Sequence, residues 1–361
     1  MASTAEKQAE PRTDANANTM RAWTYTKAGS NLAAALTLSS SARRPPTPLP
    51  ADRLLVRVTH MSPNPADHKI PEIGRAATLL MTRSLGAVTP GLDYAGVVEE
   101  VGRGLAGAGY YARGDAVFGC VGPTAFGTLA EYVQPTAAGC AVLPPSVSPA
   151  DASTLGTAAQ TAYQALRRGH VGPGDEVFVN GGSGGVGTFA VQIAARALGC
   201  VVTTTCSARN AELCRALGAA TVLDYAATDV VAALRARGRV FRLVVDNVGD
   251  SPAGLYAAAD DYLVPDGAFV QVGGQLSLAG ARIALSRALL PGFLGGGRRA
   301  WTFMLAEARR EDLEQLARWM QEGTIRAVVD GDVFPFEEAP KAYEKLNTGR
   351  TRGKLVVKVS D

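Results

Sequence analysis

The stretch that decides the fold runs from Val177 to Gly187 and reads Val-Phe-Val-Asn-Gly-Gly-Ser-Gly-Gly-Val-Gly. Its last part fits G-x-G-x-x-G, follows a run typical of a strand and opens a run typical of a helix, which is the context of a dinucleotide-binding loop. Glycines permit a close approach of the backbone to a pyrophosphate, and the helix N-terminus offers free N–H groups. A glycine-rich loop without a ligand is the alternative. The candidate cofactor contacts in this loop are Gly182, Ser183, Gly184, Gly185, Val186 and Gly187.

The segments around this loop alternate between helix and strand patterns. A helix is predicted over 149–168, with Ser148 as its cap. Further strands are predicted at 176–180, 201–206, 221–225, 242–247 and 268–273, and further helices at 188–198, 210–217, 230–237 and 311–320. This alternation, with continuous apolar strands, indicates an α/β fold with a doubly wound parallel sheet that is covered on both faces.

The chain before residue 149 shows short strands and turns instead. Runs at 54–59, 94–101, 115–120 and 128–133 are bounded by glycine or proline and predict a β-rich domain. The final run, 354–359, alternates in the same way and is expected to return to the sheet of that domain. The predicted boundaries are therefore 20–149 and 307–361 for the β-rich domain and 150–306 for the doubly wound domain.

Composition excludes several classes of protein. The 361 residues include 36 Lys and Arg against 33 Asp and Glu, and a net charge of +3 gives no electrostatic case for a nucleic-acid partner. No run approaches the roughly 18 uncharged apolar residues of a membrane span. Residues 1–19 hold no large apolar side chain after Met1, and we expect a disordered extension there. The five cysteines show no disulfide spacing, which favours a reducing, cytoplasmic location.

The residues after the second strand of the doubly wound fold discriminate between nicotinamide cofactors. An NAD site usually has an Asp or Glu about 20 residues after the glycine loop, where it binds the ribose 2′-hydroxyl. Residues 203–210 read Thr-Thr-Thr-Cys-Ser-Ala-Arg-Asn and contain no acid. Ser207 and Arg209 suit a 2′-phosphate, because a hydroxyl donates to it and a guanidinium pairs with it. The sequence favours NADPH, and a solvated Arg209 is the alternative interpretation of that residue.

Several stretches together resemble one known family. They lie at 62–69 (SPNPADHK), 90–98, 114–119, 127–133, 161–166, the glycine loop and 353–356. In order and spacing, the chain resembles the medium-chain dehydrogenase/reductase superfamily, in its zinc-free quinone oxidoreductase and enoyl reductase branch. The resemblance implies that the β-rich domain is GroES-like and catalytic, that the inserted domain is a Rossmann domain, and that the active site lies between them.

The zinc ligands of related alcohol dehydrogenases are missing. Catalytic-zinc members carry a Cys at the position of Asn64 and a Gly-His-Glu where this chain has Gly-Leu-Asp at 91–93. Leucine cannot bind zinc, and a structural site needs four closely spaced cysteines, whereas residues 100–130 contain only Cys120. We therefore expect no metal.

Hydride transfer without a Lewis acid needs a substrate that is already polarised, such as an enone, an enoyl thioester or a quinone. The resulting enolate needs hydrogen-bond donors, and its α-carbon needs a proton. The resemblance implies that Asn64 orients the substrate or the nicotinamide ribose and that Lys69 holds an active-site hydrogen bond. Tyr94 is a candidate phenol donor, with a core aromatic as the alternative. Residues 70–75 lack the tyrosine acid of the mitochondrial-type enoyl reductases, so we expect water to supply the proton.

The resemblance also carries over other cofactor contacts. The turns after the fourth and fifth Rossmann strands should line the nicotinamide, the inter-domain helix should lie near it, and the strand that returns to the first domain should reach the cofactor. The additional candidates are Thr157, Thr161, Tyr225, Asn247, Val248, Gly249, Val272, Gly273, Gly274 and Lys354. An exposed strand lysine is the alternative interpretation of Lys354.

Three functions fit these features. The first is an NADPH-dependent reductase of an activated C=C bond, such as a trans-acting enoyl reductase of a biosynthetic pathway; the second is an NADPH:quinone oxidoreductase. The third is a non-catalytic NADPH-binding protein. The expected partner is a small-molecule or acyl-thioester substrate, in a pocket lined partly by residues 70–90 and 275–300. A dimer contact is the alternative interpretation of the apolar segment 275–297. The protein is expected to be a monomer or a homodimer, with 301–305 as a candidate edge strand.

Overall fold

The structure, a computed structural model, describes residues 18–28, 31–46, 48–73, 86–107, 109–122, 127–249, 251–274 and 299–361. Residues 74–85 and 275–298 of the two segments that we expect to line the pocket lie outside these ranges, as do residues 1–17 of the expected disordered extension. The folded part begins slightly earlier than predicted, because Thr19 already pairs with Arg43 in a two-stranded sheet and Met20 is buried.

Fifteen strands and eleven α-helices are present in the described part of the chain. The strands are β1 (Thr19–Thr24), β2 (Thr37–Arg43), β3 (Leu54–Ser62), β4 (Asp93–Val101), β5 (Ala116–Cys120), β6 (Tyr132–Val133), β7 (Cys140–Val142), β8 (Glu176–Asn180), β9 (Val201–Cys206), β10 (Thr221–Asp224), β11 (Phe241–Asp246), β12 (Leu263–Gln271), β13 (Ala300–Phe303), β14 (Phe334–Pro335) and β15 (Val357–Lys358). The helices are α1 (Leu32–Ala35), α2 (Pro65–Ile73), α3 (Arg103–Ala106), α4 (Pro149–Ala152), α5 (Gln160–Arg168), α6 (Gly185–Gln192), α7 (Ala211–Leu217), α8 (Val230–Ala236), α9 (Ala259–Tyr262), α10 (Arg310–Gln321) and α11 (Ala339–Asn347).

The doubly wound sheet contains six strands in the order β10-β9-β8-β11-β12-β13. All of its neighbouring pairs are parallel, as the alternating pattern predicts. The strands after β8 are added on one side as far as β10, and those from β11 onward are added on the other side of β8. The order of the strands therefore reverses between β8 and β11, and ligands of such sheets bind at the carboxyl ends of the strands at this point. The predicted Rossmann-type α/β fold is confirmed, and the glycine loop lies at the reversal.

The second sheet has seven strands, with β14-β15-β3-β4-β5-β7 in order and β6 paired with β3. Its strand β15 pairs antiparallel with β3, so the end of the chain returns to the first domain as predicted. This is the GroES-like sheet. The domain boundaries at 149/150 and 306/307 remain a prediction.

The predicted helix over 149–168 is divided. Ser148 caps α4 through a hydrogen bond from the Asp151 N–H, but a π-helical turn at Leu155–Ala159 separates α4 from α5. A Cβ at Gly156 would lie 2.6 Å from Asp93 Oδ1 and 2.5 Å from the Gly119 carbonyl oxygen. The bulge therefore brings the backbone of this segment against β4 and β5, at the boundary of the two sheets.

A single cluster of buried side chains joins the two sheets. It includes Ala95 and Phe118 of the GroES-like sheet, Val177 and Val202 of the Rossmann sheet, and Leu313 of α10. Burial of apolar surface contributes about 25 cal/mol per Å². This shared core fixes the relative positions of the two domains around the site described next.

Candidate active site

The glycine loop, residues 181–187, connects β8 to α6 and leaves no internal space at two of its positions. A Cβ at Gly182 would overlap Thr204 Oγ1, and one at Gly187 would overlap the Gly181 carbonyl oxygen. Gly184, by contrast, is the N-cap of α6, and a Cβ there would meet nothing closer than 3.7 Å. The loop thus packs on β9 through Gly182, and the backbone around Gly184 stays open to a ligand at the helix N-terminus.

The turns after β11 and β12, which we expect to line the nicotinamide, lie next to each other. Asp246 at the end of β11 accepts hydrogen bonds from the N–H groups of Val248 and Gly249, at 3.1 and 3.0 Å, through one carboxylate oxygen. A Cβ at Gly273 would overlap the Asn247 carbonyl oxygen, so the two turns are in backbone contact. Asn247 donates to the Asn180 carbonyl at 3.0 Å, which joins these turns to the end of β8.

Asn64 and Lys354 meet at a buried site beside the glycine loop. The Lys354 ammonium lies 2.5 Å from Asn64 Oδ1, and both side chains are 3% exposed. The stem of Lys354 passes the loop, since a Cβ at Gly185 would lie 3.2 Å from its Cδ. Gly353 N–H also donates to the Ser183 carbonyl at 2.9 Å. The C-terminal segment therefore connects the glycine loop to the loop that carries Asn64.

Asp93 completes this cluster. Its Oδ2 accepts the Asn64 amide at 2.9 Å and lies 3.4 Å from the Lys354 ammonium, while its Oδ1 accepts the Thr157 hydroxyl at 2.5 Å. The carboxylate is fully buried; burial raises its pKa, and the Lys354 charge and the three hydrogen bonds oppose that rise. Thr161, one turn after Thr157, donates to the Thr157 carbonyl at 2.7 Å instead of reaching the cluster.

Asp67 lies behind the cluster and anchors the Asn64 loop. Its Oδ2 accepts the Asn64 backbone N–H at 2.9 Å and the Tyr343 hydroxyl at 3.2 Å. Its Oδ1 is buried and has no hydrogen-bond partner among the described residues. Burial raises the pKa of this carboxyl to about 7 despite the Asn64 bond. A carboxyl that is partly protonated at neutral pH follows from this environment.

Lys69 follows on helix α2 and reaches across to the Rossmann domain. Its ammonium donates to the Gly274 carbonyl at 3.2 Å, just beyond the end of β12. Burial lowers the pKa of Lys69, because desolvation disfavours the charged amine. Gly274 has a φ of +149°, so this turn suits glycine. The arrangement places a cationic donor, with no other acceptor among the described residues, beside the turns expected to line the nicotinamide.

Tyr94 is not part of this group. Its ring is fully buried in the core of the GroES-like domain, and its hydroxyl donates to the Gly139 carbonyl at 3.1 Å. Burial raises the pKa of Tyr94 well above its ordinary value. The structure supports the core interpretation of this residue, and we give Tyr94 no catalytic role.

Arg209 lies at a basic cavity of about 380 Å³ between the domains. The cavity is lined by Arg209 and Asn210 of the Rossmann domain and by Asp330, Lys345, Thr348, Arg350 and Arg352 of the C-terminal segment. Lys345 binds Asp330 at 3.3 Å, whereas the three arginines make no ion pair with a carboxylate in the described part of the chain. Asn210 Oδ1 is buried without a hydrogen-bond partner among these residues. An anion with a hydroxyl or phosphate group fits this lining.

Two other candidates for the adenosine end lie outside this cavity. Tyr225 follows β10 and is 60% exposed, and Ser207 precedes the 3₁₀ turn Ala208–Asn210. Ser207 accepts the Asn210 backbone N–H through its carbonyl at 2.9 Å, and its hydroxyl makes no capping bond. Neither residue lines the basic cavity. They lie at the ends of β9 and β10, the edge where the cofactor is expected.

Sequence reasoning missed Asp93, Arg350 and Arg352. Asp93 ends the Gly-Leu-Asp stretch that we compared with a zinc motif. The signal in the sequence was an acidic residue at the start of an otherwise apolar strand. The arginines stand directly before Lys354 in the sequence Gly-Arg-Thr-Arg-Gly. Basic residues so close to a candidate cofactor contact were the signal there.

The residues at the positions of the zinc ligands do not fit a metal. Among the described residues, no three His, Cys, Asp or Glu side chains lie together as metal ligands would. Leu92 is buried at the ligand position, and the Cys120 thiol accepts the Gln160 amide at 3.3 Å. Burial raises the pKa of that thiol, which opposes the thiolate form that zinc requires.

Within the same ranges, no helix is both long and apolar enough to cross a membrane.

Comparisons with known proteins agree with this geometry. The family model for the alcohol dehydrogenase GroES-like domain matches residues 50–145, and the model for zinc-binding dehydrogenases matches residues 217–357. The chain is 42% identical over 355 residues to the trans-enoyl reductase pgmF of Aspergillus terreus, and the match covers 95% of this chain and 97% of that protein. The chain therefore belongs to the medium-chain dehydrogenase/reductase superfamily, in the zinc-free branch of quinone oxidoreductases and enoyl reductases.

Two other proteins are also similar to this chain. The mitochondrial NAD(P)H oxidoreductase RTN4IP1 of Homo sapiens is 31% identical over 376 residues, covering 96% of this chain and 91% of that protein. The quinone oxidoreductase of Coxiella burnetii superposes with a TM-score of 0.78 at 29% identity and covers 94% of this chain and 99% of its own. The protein is an oxidoreductase with a nicotinamide-cofactor domain, and its substrate is a small molecule.

Proposed function

We propose that the protein is an NADPH-dependent reductase of an activated C=C bond, and that it works as a trans-acting enoyl reductase on an acyl thioester or enone. The observation that carries the proposal is Lys69, a partly buried ammonium 3.2 Å from the Gly274 carbonyl oxygen. The similarity to pgmF, which is named a trans-enoyl reductase, supports the substrate class.

Lys69 is the donor suited to the substrate carbonyl. When bound, the cofactor supplies a hydride to the β-carbon, and negative charge then develops on the carbonyl oxygen. Asn64 and Lys354 use their N–H groups within the buried cluster, whereas Lys69 has, among the described residues, one acceptor for its three hydrogens, the Gly274 carbonyl. A cation in a partly dehydrated site stabilises developing negative charge far better than it would in water. Water then protonates the α-carbon.

The basic cavity supports NADPH as the cofactor. Arg209 belongs to the segment after β9, where the adenosine ribose of a Rossmann ligand lies. Arg350 and Arg352 line the same cavity from the catalytic domain, and the Arg209 guanidinium reaches the Arg350 carbonyl at 3.5 Å. Three guanidinium groups without carboxylate partners in the described ranges favour a phosphate over a neutral hydroxyl.

Reduction of a quinone is the second candidate. The similarity to the quinone oxidoreductase of Coxiella burnetii supports it. A quinone is also a conjugated carbonyl, so Lys69 would donate to its oxygen in the same way. A third candidate, NADPH binding without turnover, predicts cofactor affinity but no substrate.

The test is NADPH oxidation, followed by the absorbance of the cofactor, with an enone, a medium and a long enoyl thioester, and a quinone. We expect turnover of at least one enoyl thioester, with the saturated thioester identified by mass spectrometry. Turnover of quinone alone would replace the proposal with the second candidate. Cofactor binding without any turnover would favour the third.

The cytoplasm is the compartment that we propose. All five cysteines are buried free thiols, and oxidising compartments favour disulfides instead. A homodimer is also proposed, since β13 is the edge of the Rossmann sheet among the described strands, and Phe303 at its end and Leu305 after it are 41% and 73% exposed. Size-exclusion chromatography with light scattering distinguishes it from the monomer.

A further inference from the structure

The hydrogen bonds of Asn64 fix the orientation of its amide group. Its Nδ2 lies 2.9 Å from Asp93 Oδ2 and 3.3 Å from the Ser62 carbonyl oxygen, and both of these atoms only accept. Its Oδ1 lies 2.5 Å from the Lys354 ammonium, which only donates. A flipped amide would set N–H groups against an ammonium and an oxygen against a carboxylate. The chemistry of the partners therefore assigns the two ends of the amide.

One hydrogen-bonding position of this amide has no partner among the described residues. Both hydrogens of Asn64 Nδ2 are used, and the three hydrogens of Lys354 have acceptors in Asn64 Oδ1, the Pro63 carbonyl at 3.3 Å and Asp93 Oδ2 at 3.4 Å. A carbonyl oxygen accepts two hydrogen bonds, and Lys354 fills one of these on Asn64 Oδ1. Within the part of the chain that the structure describes, no second donor reaches that oxygen, so its second lone pair is the open position of the Asn64 side chain.

The open lone pair of Asn64 Oδ1 can bind only a hydrogen-bond donor. Enones, enoyl thioesters and quinones offer carbonyl oxygens, which also only accept, so Asn64 cannot bind the reacting carbonyl of any of them. The nicotinamide half of the cofactor carries ribose hydroxyls and a carboxamide N–H₂, which donate. Asn64 also lies beside the glycine loop, where the Lys354 stem passes Gly185. Its partner is therefore a donor on the cofactor.

We propose that Asp93 is the positioning residue that holds Asn64 in this orientation, so that Asn64 serves the cofactor as an acceptor and leaves the substrate carbonyl to other groups. Asp93 acts through Asn64, because its two oxygens are occupied by Asn64, Lys354 and Thr157. This inference rests on the proposed function for the identity of the cofactor, but it makes its own prediction about binding.

The test is a double-mutant cycle on cofactor affinity, which needs no substrate. NADPH dissociation constants are measured by fluorescence for the wild type, Asn64→Ala, Asp93→Ala and the double variant. One lost hydrogen bond corresponds to about a tenfold weaker affinity. We expect each single variant to bind NADPH about tenfold more weakly and the double variant to be no weaker than the singles, because both remove the same contact.

Two matched variants complete the design. Asp93→Asn keeps an oxygen that accepts the Asn64 amide, and we expect its affinity to stay within about threefold of the wild type. Asp312→Ala removes another buried carboxylate, one that binds Gln164 and Arg167 away from this cluster, and should leave the affinity unchanged. If Asp93→Ala does not fold, Asn64→Ala and Asp93→Asn still give the two decisive comparisons.

Several results would overturn the inference. These are losses that multiply to about a hundredfold in the double variant, an Asp93→Asn variant that loses about tenfold in affinity, or an Asn64→Ala variant with unchanged NADPH affinity and a raised KM for the acceptor. A failure of the proposed function looks different, since the wild-type titration would then show tight binding of NADH in place of NADPH, or the wild type would turn over no enoyl thioester.

Discussion

Lys354 and Asn64 are 290 positions apart in the sequence, yet Lys354 Nζ lies 2.5 Å from Asn64 Oδ1. The contact depends on Gly353, which has a φ of +72° and lies so close to the Val328 carbonyl oxygen that a Cβ there would overlap it. A side chain is therefore excluded at this position. The C-terminal segment therefore pairs with the first sheet and also brings the Lys354 ammonium to the loop that carries Asn64.

This buried ion pair makes a prediction about stability. Lys354 and Asp93 are 3% and 0% exposed, so removing the ammonium leaves a buried carboxylate without its charge partner. We expect Lys354→Met to lower the free energy of unfolding by about 3–5 kcal/mol. Lys354→Met combined with Asp93→Asn removes both charges and should recover much of that loss. Urea unfolding measures both, and equal losses in the two variants would contradict this expectation.

Two glycines of the glycine loop should respond differently to alanine. A Cβ at Gly187 would overlap the Gly181 carbonyl oxygen, so Gly187→Ala should cost about 1–3 kcal/mol of stability. A Cβ at Gly184 has space within the protein and would obstruct only a ligand. We expect Gly184→Ala to melt within about 2 °C of the wild type and to bind NADPH at least about tenfold more weakly. Unchanged NADPH affinity in Gly184→Ala would argue against a pyrophosphate at this loop.

Arg209 should determine the choice between the two nicotinamide cofactors. Loss of a charge-assisted hydrogen bond costs about 1.5–3 kcal/mol, which corresponds to roughly a tenfold to hundredfold rise in KM. We expect Arg209→Ala to raise the KM for NADPH by this factor and to leave the KM for NADH unchanged. Arg215→Ala, which replaces an exposed arginine on α7, is the control. An equal rise for both cofactors would remove Arg209 from 2′-phosphate recognition.

Lys69 should affect the chemical step and its pH dependence. Lys69→Met keeps the length of the side chain and removes the charge, and we expect kcat to fall by about 10²- to 10³-fold. Because burial lowers the pKa of Lys69, the wild-type rate should fall as the pH rises through that lowered value. This alkaline decline should be absent in Lys69→Met, while Lys358→Met serves as an exposed control. A kcat within about threefold of the wild type would contradict the role of Lys69 as an oxyanion donor.

Asp67 should make stability depend on pH. Its pKa is raised to about 7 in the folded protein, whereas the unfolded chain has the ordinary value near 3.8. Between these values the folded state holds a proton that the unfolded state has released, so stability falls as the pH rises from about 4 to about 7. We expect the difference in unfolding free energy between the wild type and Asp67→Asn to follow this fall. A difference that is constant over this range would contradict the raised pKa.

The Rossmann strands were predictable because the determinants are local. The predicted bounds of β8 and β9 match the observed ones, since β8 is an apolar run followed by glycine and β9 is a run of β-branched residues after Gly199. The bounds of β12 were less accurate, because Pro265, Asp266 and Gly267 resemble a turn but continue the strand from Leu263. The π-helical bulge at Leu155–Ala159 was missed, because it depends on Gly156 meeting Asp93 from another domain.

The site was only partly predictable, because several of its contacts join residues that are far apart in the sequence. The glycine loop and the Asn64 loop are sequence motifs, and the resemblance indicated both. Asp93 gains its role from Lys354, which is 261 positions away, and Arg350 meets Arg209 across 141 positions. No local pattern encodes such pairs, since they follow from the return of the chain to the first sheet.

Deuterium labelling follows the transferred hydride itself and therefore tests the proposed reduction of a C=C bond without relying on cofactor absorbance. An enoyl thioester is incubated with the protein and with NADPH that carries deuterium at the transferred position of C4, and the saturated thioester is examined by NMR and mass spectrometry. We predict one deuterium at the β-carbon and a proton from water at the α-carbon. Cofactor oxidation with no deuterium in the thioester, or turnover that occurs only when a quinone is the acceptor, would contradict the proposed reduction.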